Sequence, residues 1–159
     1  NSMSKVFAMS GWRIGYSIGP KEVIQKMGLL TQTILSCLPE FSQAGAEVAL
    51  DTKKDFIDNM NVEYSERMNI LVNGLNKIPG LSCVKPEGAF YIFPQLDKKL
   101  GDIKTYCNDL LLEEGVCLLP GEFFGKQGQR SIRLSYSATS KKDIELALDK
   151  INRFNLKYM

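Results

Sequence analysis

The first sixteen residues, NSMSKVFAMSGWRIGY, set three serines, one lysine, one tryptophan and one arginine among small side chains, in a stretch where a domain end usually frays. A lysine amine is a nucleophile and proton carrier when burial or nearby cations depress its pKa, and a solvated charge otherwise. A guanidinium either donates two parallel hydrogen bonds to a phosphate or carboxylate, or sits in a surface ion pair. The chain has no histidine, so a histidine general base is impossible within it. Its four cysteines, at 37, 83, 107 and 117, form no C-x-x-C pair. A zinc site would need cysteine alone at irregular spacing, so no metal site is expected.

The elements that must position these residues fit ordinary globular composition. The 159 residues are 44% apolar and 24% charged, enough for one domain or one and a half. The net charge is +2 and the basic residues are scattered singly or in pairs, which gives no stripe for nucleic acid or anionic lipid. Apolar runs of only a few residues predict no membrane span. Scattered thiols without a signal peptide point to a reducing, cytoplasmic setting.

Along the chain, RIGYSIG suits a short strand closed by Gly19-Pro20, and KEVIQKMGLLTQTILSC suits a helix ending before Leu38-Pro39. EFSQAGAEVALD is a second helix. Ile57, Met60, Tyr64, Met68, Leu71, Leu75 and Ile78 then recur at steps of three and four, an apolar stripe along one long helix that Pro79-Gly80 stops. Beyond Gly80 the pattern is that of an α+β unit. LSCVKPEGAFYIFP holds two β-like runs around Pro86-Glu87-Gly88, DIKTYCNDLLLEEG is a helix closed by Gly115, and VCLLPG and RSIRLSYS are strands. Ser140 caps a last helix with Asp143 as its capping-box partner. The organisation changes near residue 52, giving segments 1–52 and 53–159.

Ser2-Met3-Ser4-Lys5, with Ala8, Met9, Gly11, Arg13, Ile14 and Gly15, resembles the signature around the cofactor lysine of class I/II aminotransferases, the fold-type I enzymes that use pyridoxal phosphate. PEGAFYIFP (86–94), LLPGEFFG (118–125) and SIRLSYS (131–137) resemble later motifs of that family in the same order. The likeness covers the whole chain and implies an α/β protein corresponding to the C-terminal part of the fold. Residues 1–52 would be a remnant of the large cofactor-binding domain, and 53–159 a connector helix with the small α+β domain.

The resemblance also implies the chemistry. Lys5 would be the catalytic residue, holding the cofactor aldehyde and then moving a proton at the substrate α-carbon. Arg13, Ser2 and Ser4 would hold the cofactor phosphate, the guanidinium as a charge-assisted fork and the serines as hydroxyl donors. Arg133 would bind the α-carboxylate of amino-acid and 2-oxo-acid substrates. Alternation along SIRLSYS puts Ile132, Leu134 and Tyr136 on one face and Arg133, Ser135 and Ser137 on the other. The parent enzyme would be a homodimer, and the wording GWRIGY leans toward its aspartate and aromatic branch.

Other motif residues read as scaffolding. Gly88 and Gly121 would supply positive φ or close backbone approach, and Pro86 and Pro120 would stiffen the turns beside them. Phe90, Tyr91, Phe93 and Trp12 would pack rather than touch substrate, and Arg130 would lie exposed in a turn. The family's partners for the cofactor ring come from residues before the lysine and have no counterpart here, so the 159 residues alone are expected to be an inactive fragment. Two other readings stay open: a non-catalytic interaction or dimerisation module derived from such an enzyme, and a lyase or synthase on the same fold.

Overall fold

Helices dominate the first sixty residues of the computed structural model, which describes residues 1–158. Ser2 starts the first helix, α1 (Met3–Val6), by accepting the Ser4 N–H on its side-chain oxygen at 3.1 Å. Helices α2 (Lys21–Leu35), α3 (Glu40–Leu50) and α4 (Lys54–Leu75) follow. Pro20 and Pro39 stand directly before α2 and α3, where the missing N–H costs nothing. Met3, Met9, Ile14 and Ala49 form a small core, with Phe7, Leu38 and Ala46 packed against it.

The strand expected over RIGYSIG does not form. A single antiparallel bridge joins Ser2 to Gly15, flanked by Met3 N–H to Ile14 O at 3.2 Å and Tyr16 N–H to Asn1 O at 2.9 Å. The ladder stops there because Met3 already belongs to α1, so the pairing backbone turns away, and Ile18 is left 90% exposed. α2 buries none of its residues, and Leu29, Leu30, Ile34 and Leu35 are all exposed.

Two compact units divide the chain, Asn1–Met60 and the residues from Asn61 on. In the second unit the expected stripe on α4 reaches full burial at Leu71 and Leu75. That helix ends at Leu75, and the chain turns through Gly80 at φ 81°. The two β-like runs around Pro86 form strands that do not pair with each other. β1 (Leu81–Ser82) pairs antiparallel with β3 (Gln95–Leu96). β2 (Tyr91–Ile92) and β4 (Leu119–Pro120) flank β5 (Ile132–Ser135) in a three-stranded antiparallel sheet. Its register sets Tyr91 opposite Ser135 and Leu119 opposite Arg133.

Helices α5 (Ile103–Glu114) and α6 (Lys141–Asn155) complete a core that includes Leu75, Ile92, Leu110, Ile132, Tyr136 and Ile151. Gly115 closes α5 in the left-handed conformation, and Ser140 with Asp143 makes the full capping box of α6. Asn155 is fully buried, accepts from the Tyr106 hydroxyl at 2.8 Å and donates to Pro79 O at 2.8 Å. Asn155→Ala strands both partners in the core, and urea unfolding should show a loss of about 2–4 kcal/mol. Cys83 and Cys107 are buried, whereas Cys37 and Cys117 are exposed. Burial, with Cys117 nearby as a smaller cause, pushes the Cys107 thiol up to about 11, and burial raises Cys83 as well.

Two scaffold expectations need correcting. Arg130 is not an exposed turn residue. It donates to the carbonyls of Gly101 (2.9 Å), Leu96 (3.1 Å) and Asp97 (2.6 Å), and so ties the loop after β3 to the segment entering β5. Gly88 has neither positive φ nor a close neighbour, and the left-handed residue of that turn is Ala89, at φ 63°. Gly121 does meet the expectation, since a Cβ there would lie 2.5 Å from the carbonyl oxygens of both Gly128 and Ser131.

Candidate functional site

In the first unit, the bridge between Ser2 and Gly15 runs the segment leading into Lys5 alongside the segment that follows Arg13. Ser2, Lys5 and Arg13 are exposed and Ser4 is half-buried, while Met3 and Ile14 anchor the two segments from beneath. Arg13 sits in the left-handed region at φ 53°, just past the short turn Ser10–Trp12. Its Nη1 donates to Ser10 O at 2.9 Å. One edge of the guanidinium is thereby held by the turn that presents it. Trp12 packs on α3: its ring lies 6.5 Å from that of Phe41, and a Cβ on Gly45 would strike it.

Gly15 permits the close crossing, since a Cβ there would stand 2.5 Å from Asn1 O. The donor set is an amine, two hydroxyls and a guanidinium with no carboxylate of its own. That is the chemistry of a site for a phosphate dianion beside an aldehyde, so the residues present fit pyridoxal phosphate. Among the described residues no group of three or more histidine, cysteine, aspartate or glutamate side chains could hold a metal ion. No helix among them is long and apolar enough to cross a membrane.

In the second unit, Arg133 stands on the central strand β5, half-buried, on the face opposite Ile132, Leu134 and Tyr136. Ser135 and Ser137 share its face, their hydroxyls 3.1 Å apart. The Arg133 guanidinium carbon lies 3.7 Å from the centre of the Phe124 ring and 4.7 Å from that of Tyr91. Tyr91 comes from β2 on one side of β5. Phe124 ends the turn Gly121–Phe124, which follows β4 on the other side. The two rings touch the cation that the sequence singled out, whereas sequence alone assigned Tyr91 to packing and gave Phe124 no part. Alternation of aromatic and guanidinium positions across paired strands was the available signal, but it needs the register of β2 against β5 to be read.

The profile of the family described as "Aminotransferase class I and II" matches residues 1–151. The chain belongs to this family. It is 40% identical to an aspartate aminotransferase of Rhizobium meliloti over 95% of its own length and 38% of the relative's. It is 36% identical to an asparagine–oxo-acid transaminase of Streptococcus mutans over 97% of its length and 40% of that protein. In three dimensions it superposes on an aromatic aminotransferase from Pyrococcus horikoshii with a TM-score of 0.91 and 34% identity, covering 99% of this chain and 42% of the other. The chain thus spans about two-fifths of the length of the relatives it matches. Its fold is the corresponding part of the fold-type I aminotransferase architecture.

Proposed function

We propose that these residues serve a pyridoxal-phosphate-dependent aminotransferase that moves an amino group from an amino acid to a 2-oxo acid. The observation that carries this reading is the match of Ser2, Lys5 and Arg13 to the lysine signature of the family to which the chain belongs, on two segments that the Ser2–Gly15 bridge pairs. Segment 1–52 is then the end of the large cofactor-binding domain, and 53–159 the connector helix and small domain. Relatives named for aspartate support an aspartate-like substrate, and a homodimer is the assembly that the family resemblance implies. The cysteines, free throughout the structure, support a cytoplasmic location.

The cofactor, when bound, supplies an aldehyde and an electron-withdrawing ring that render the substrate α-proton acidic. Lys5 Nζ would hold the cofactor at its aldehyde carbon and, when free of it, would carry the proton away from the substrate α-carbon. Arg13, with one edge fixed on Ser10 O, would offer its remaining donors to the phosphate, and the hydroxyls of Ser2 and Ser4 would add shorter-range donors. Arg133 forks onto the α-carboxylate and so fixes which α-carbon bond is aligned for cleavage.

These residues hold only part of such a site, and the 159-residue chain by itself is inactive in this reading. Titrating it with pyridoxal phosphate should give a weak, non-saturating absorbance change that Lys5→Ala scarcely alters. A complete enzyme carrying the same residues should transaminate aspartate. Saturable, Lys5-dependent binding by the 159 residues overturns the partial-site reading, and a complete enzyme without transaminase activity overturns the function. The alternative of a non-catalytic module has no observation of its own in its favour.

A further inference from the structure

We propose that Tyr91 and Phe124 are positioning residues for carboxylate recognition, their rings fixing the plane of the Arg133 guanidinium so that its donor edge meets the substrate ready oriented. This inference rests on the reading of Arg133 as the carboxylate fork. All five guanidinium donors lie in the plane of the group, whereas an aromatic ring engages its face. Ring contacts at 3.7 and 4.7 Å therefore restrain the cation without using a single N–H. Among the described residues no carboxylate and no carbonyl takes up those donors in their place. A free arginine side chain carries large rotamer freedom that must be lost on binding, and rings that have already removed part of it lower the cost of capture.

The supports of the two rings are themselves built in. Tyr91 is held by the β2–β5 pairing, and its ring lies 4.8 Å from that of Phe90. Phe124 ends a turn whose first residue, Gly121, is wedged against the carbonyls of Gly128 and Ser131 and donates to Ser131 O at 2.7 Å. Edge-on contact with Phe93, at 5.9 Å between centres, sets the Phe124 ring plane. Phe124 nevertheless remains 47% exposed, more than core packing requires of a phenylalanine. The cation on its ring is Arg133.

The test uses the complete enzyme and a non-reacting dicarboxylate, succinate, whose binding is read by calorimetry alongside turnover. Phe124→Leu and Tyr91→Leu should each weaken succinate binding by about tenfold, while Phe124→Tyr, which keeps a ring, stays within about twofold. KM for the amino acid should rise more than kcat falls, and reaction with an amine lacking a carboxylate should not change. Unchanged succinate affinity in both leucine variants, with Arg133→Lys still weakening it, overturns the positioning role and leaves the function of Arg133 intact. Equal losses for the carboxylate-free amine assign the rings to structural support and overturn it as well. Unchanged affinity in Arg133→Lys overturns the carboxylate reading itself, and this inference with it.

Discussion

Replacing Lys5 by alanine in the complete enzyme should lower transamination by about ten-thousandfold or more, because the proposed function asks one amine both to hold the cofactor and to carry the proton. Lys5→Arg should fall nearly as far, since a guanidinium keeps the charge but stays protonated and accepts no proton near neutral pH. Exchange of the substrate α-hydrogen with deuterated solvent isolates the proton-transfer role. It should vanish in both variants while amino-acid binding persists. Lys5 is exposed and lies in a four-residue helix whose start is capped by Ser2, so neither change disturbs a core. Retained exchange in Lys5→Ala would assign the proton to another base and remove Lys5 from the mechanism.

Arg133→Lys carries the second large effect, and it discriminates among substrates. The ammonium keeps the charge but loses the second parallel hydrogen bond and the planar group that rests on Phe124 and Tyr91. Affinity for the amino acid and for its 2-oxo acid should weaken together by about ten- to a hundredfold, because both present the same carboxylate. The half-reaction rate should also fall as the α-carbon bond loses alignment. The decarboxylated amine of the same amino acid should react as before. Parallel half-reactions with acid and amine make the measurement, and equal losses for both would place Arg133 in the scaffold.

What the sequence disclosed depended on whether the deciding partner was near in the chain. The capping box at Ser140 and Asp143, the left-handed close at Gly115 and the stripe on α4 are local patterns; the first two stand as read, and the stripe holds as far as Leu75, where the helix ends one turn before Pro79. RIGYSIG forms no strand because a strand exists only with a neighbour, and the neighbour here departs into α1 after one bridge. The half-burial of Arg130 is not legible locally, because its three carbonyl partners lie about thirty residues away. The motifs carrying Lys5, Arg13 and Arg133 were legible as a family pattern. The rings around Arg133 were not, since they arrive from two separate segments that only the sheet brings together.

The distribution of thiols gives the second unit a chemical clock. Cys107 has to be uncovered before it meets an alkylating reagent, and burial also withholds the thiolate that such reagents attack. Exposed Cys37 and Cys117 should be modified within the mixing phase of a pulse, whereas Cys83 and Cys107 should react only as often as their surroundings open. Counting modified thiols by mass against time then reports the opening equilibrium of the core that carries Arg133. Asn155→Ala should speed the slow pair and leave the fast pair alone, which turns a side-chain inventory into a measure of how often the sheet comes apart.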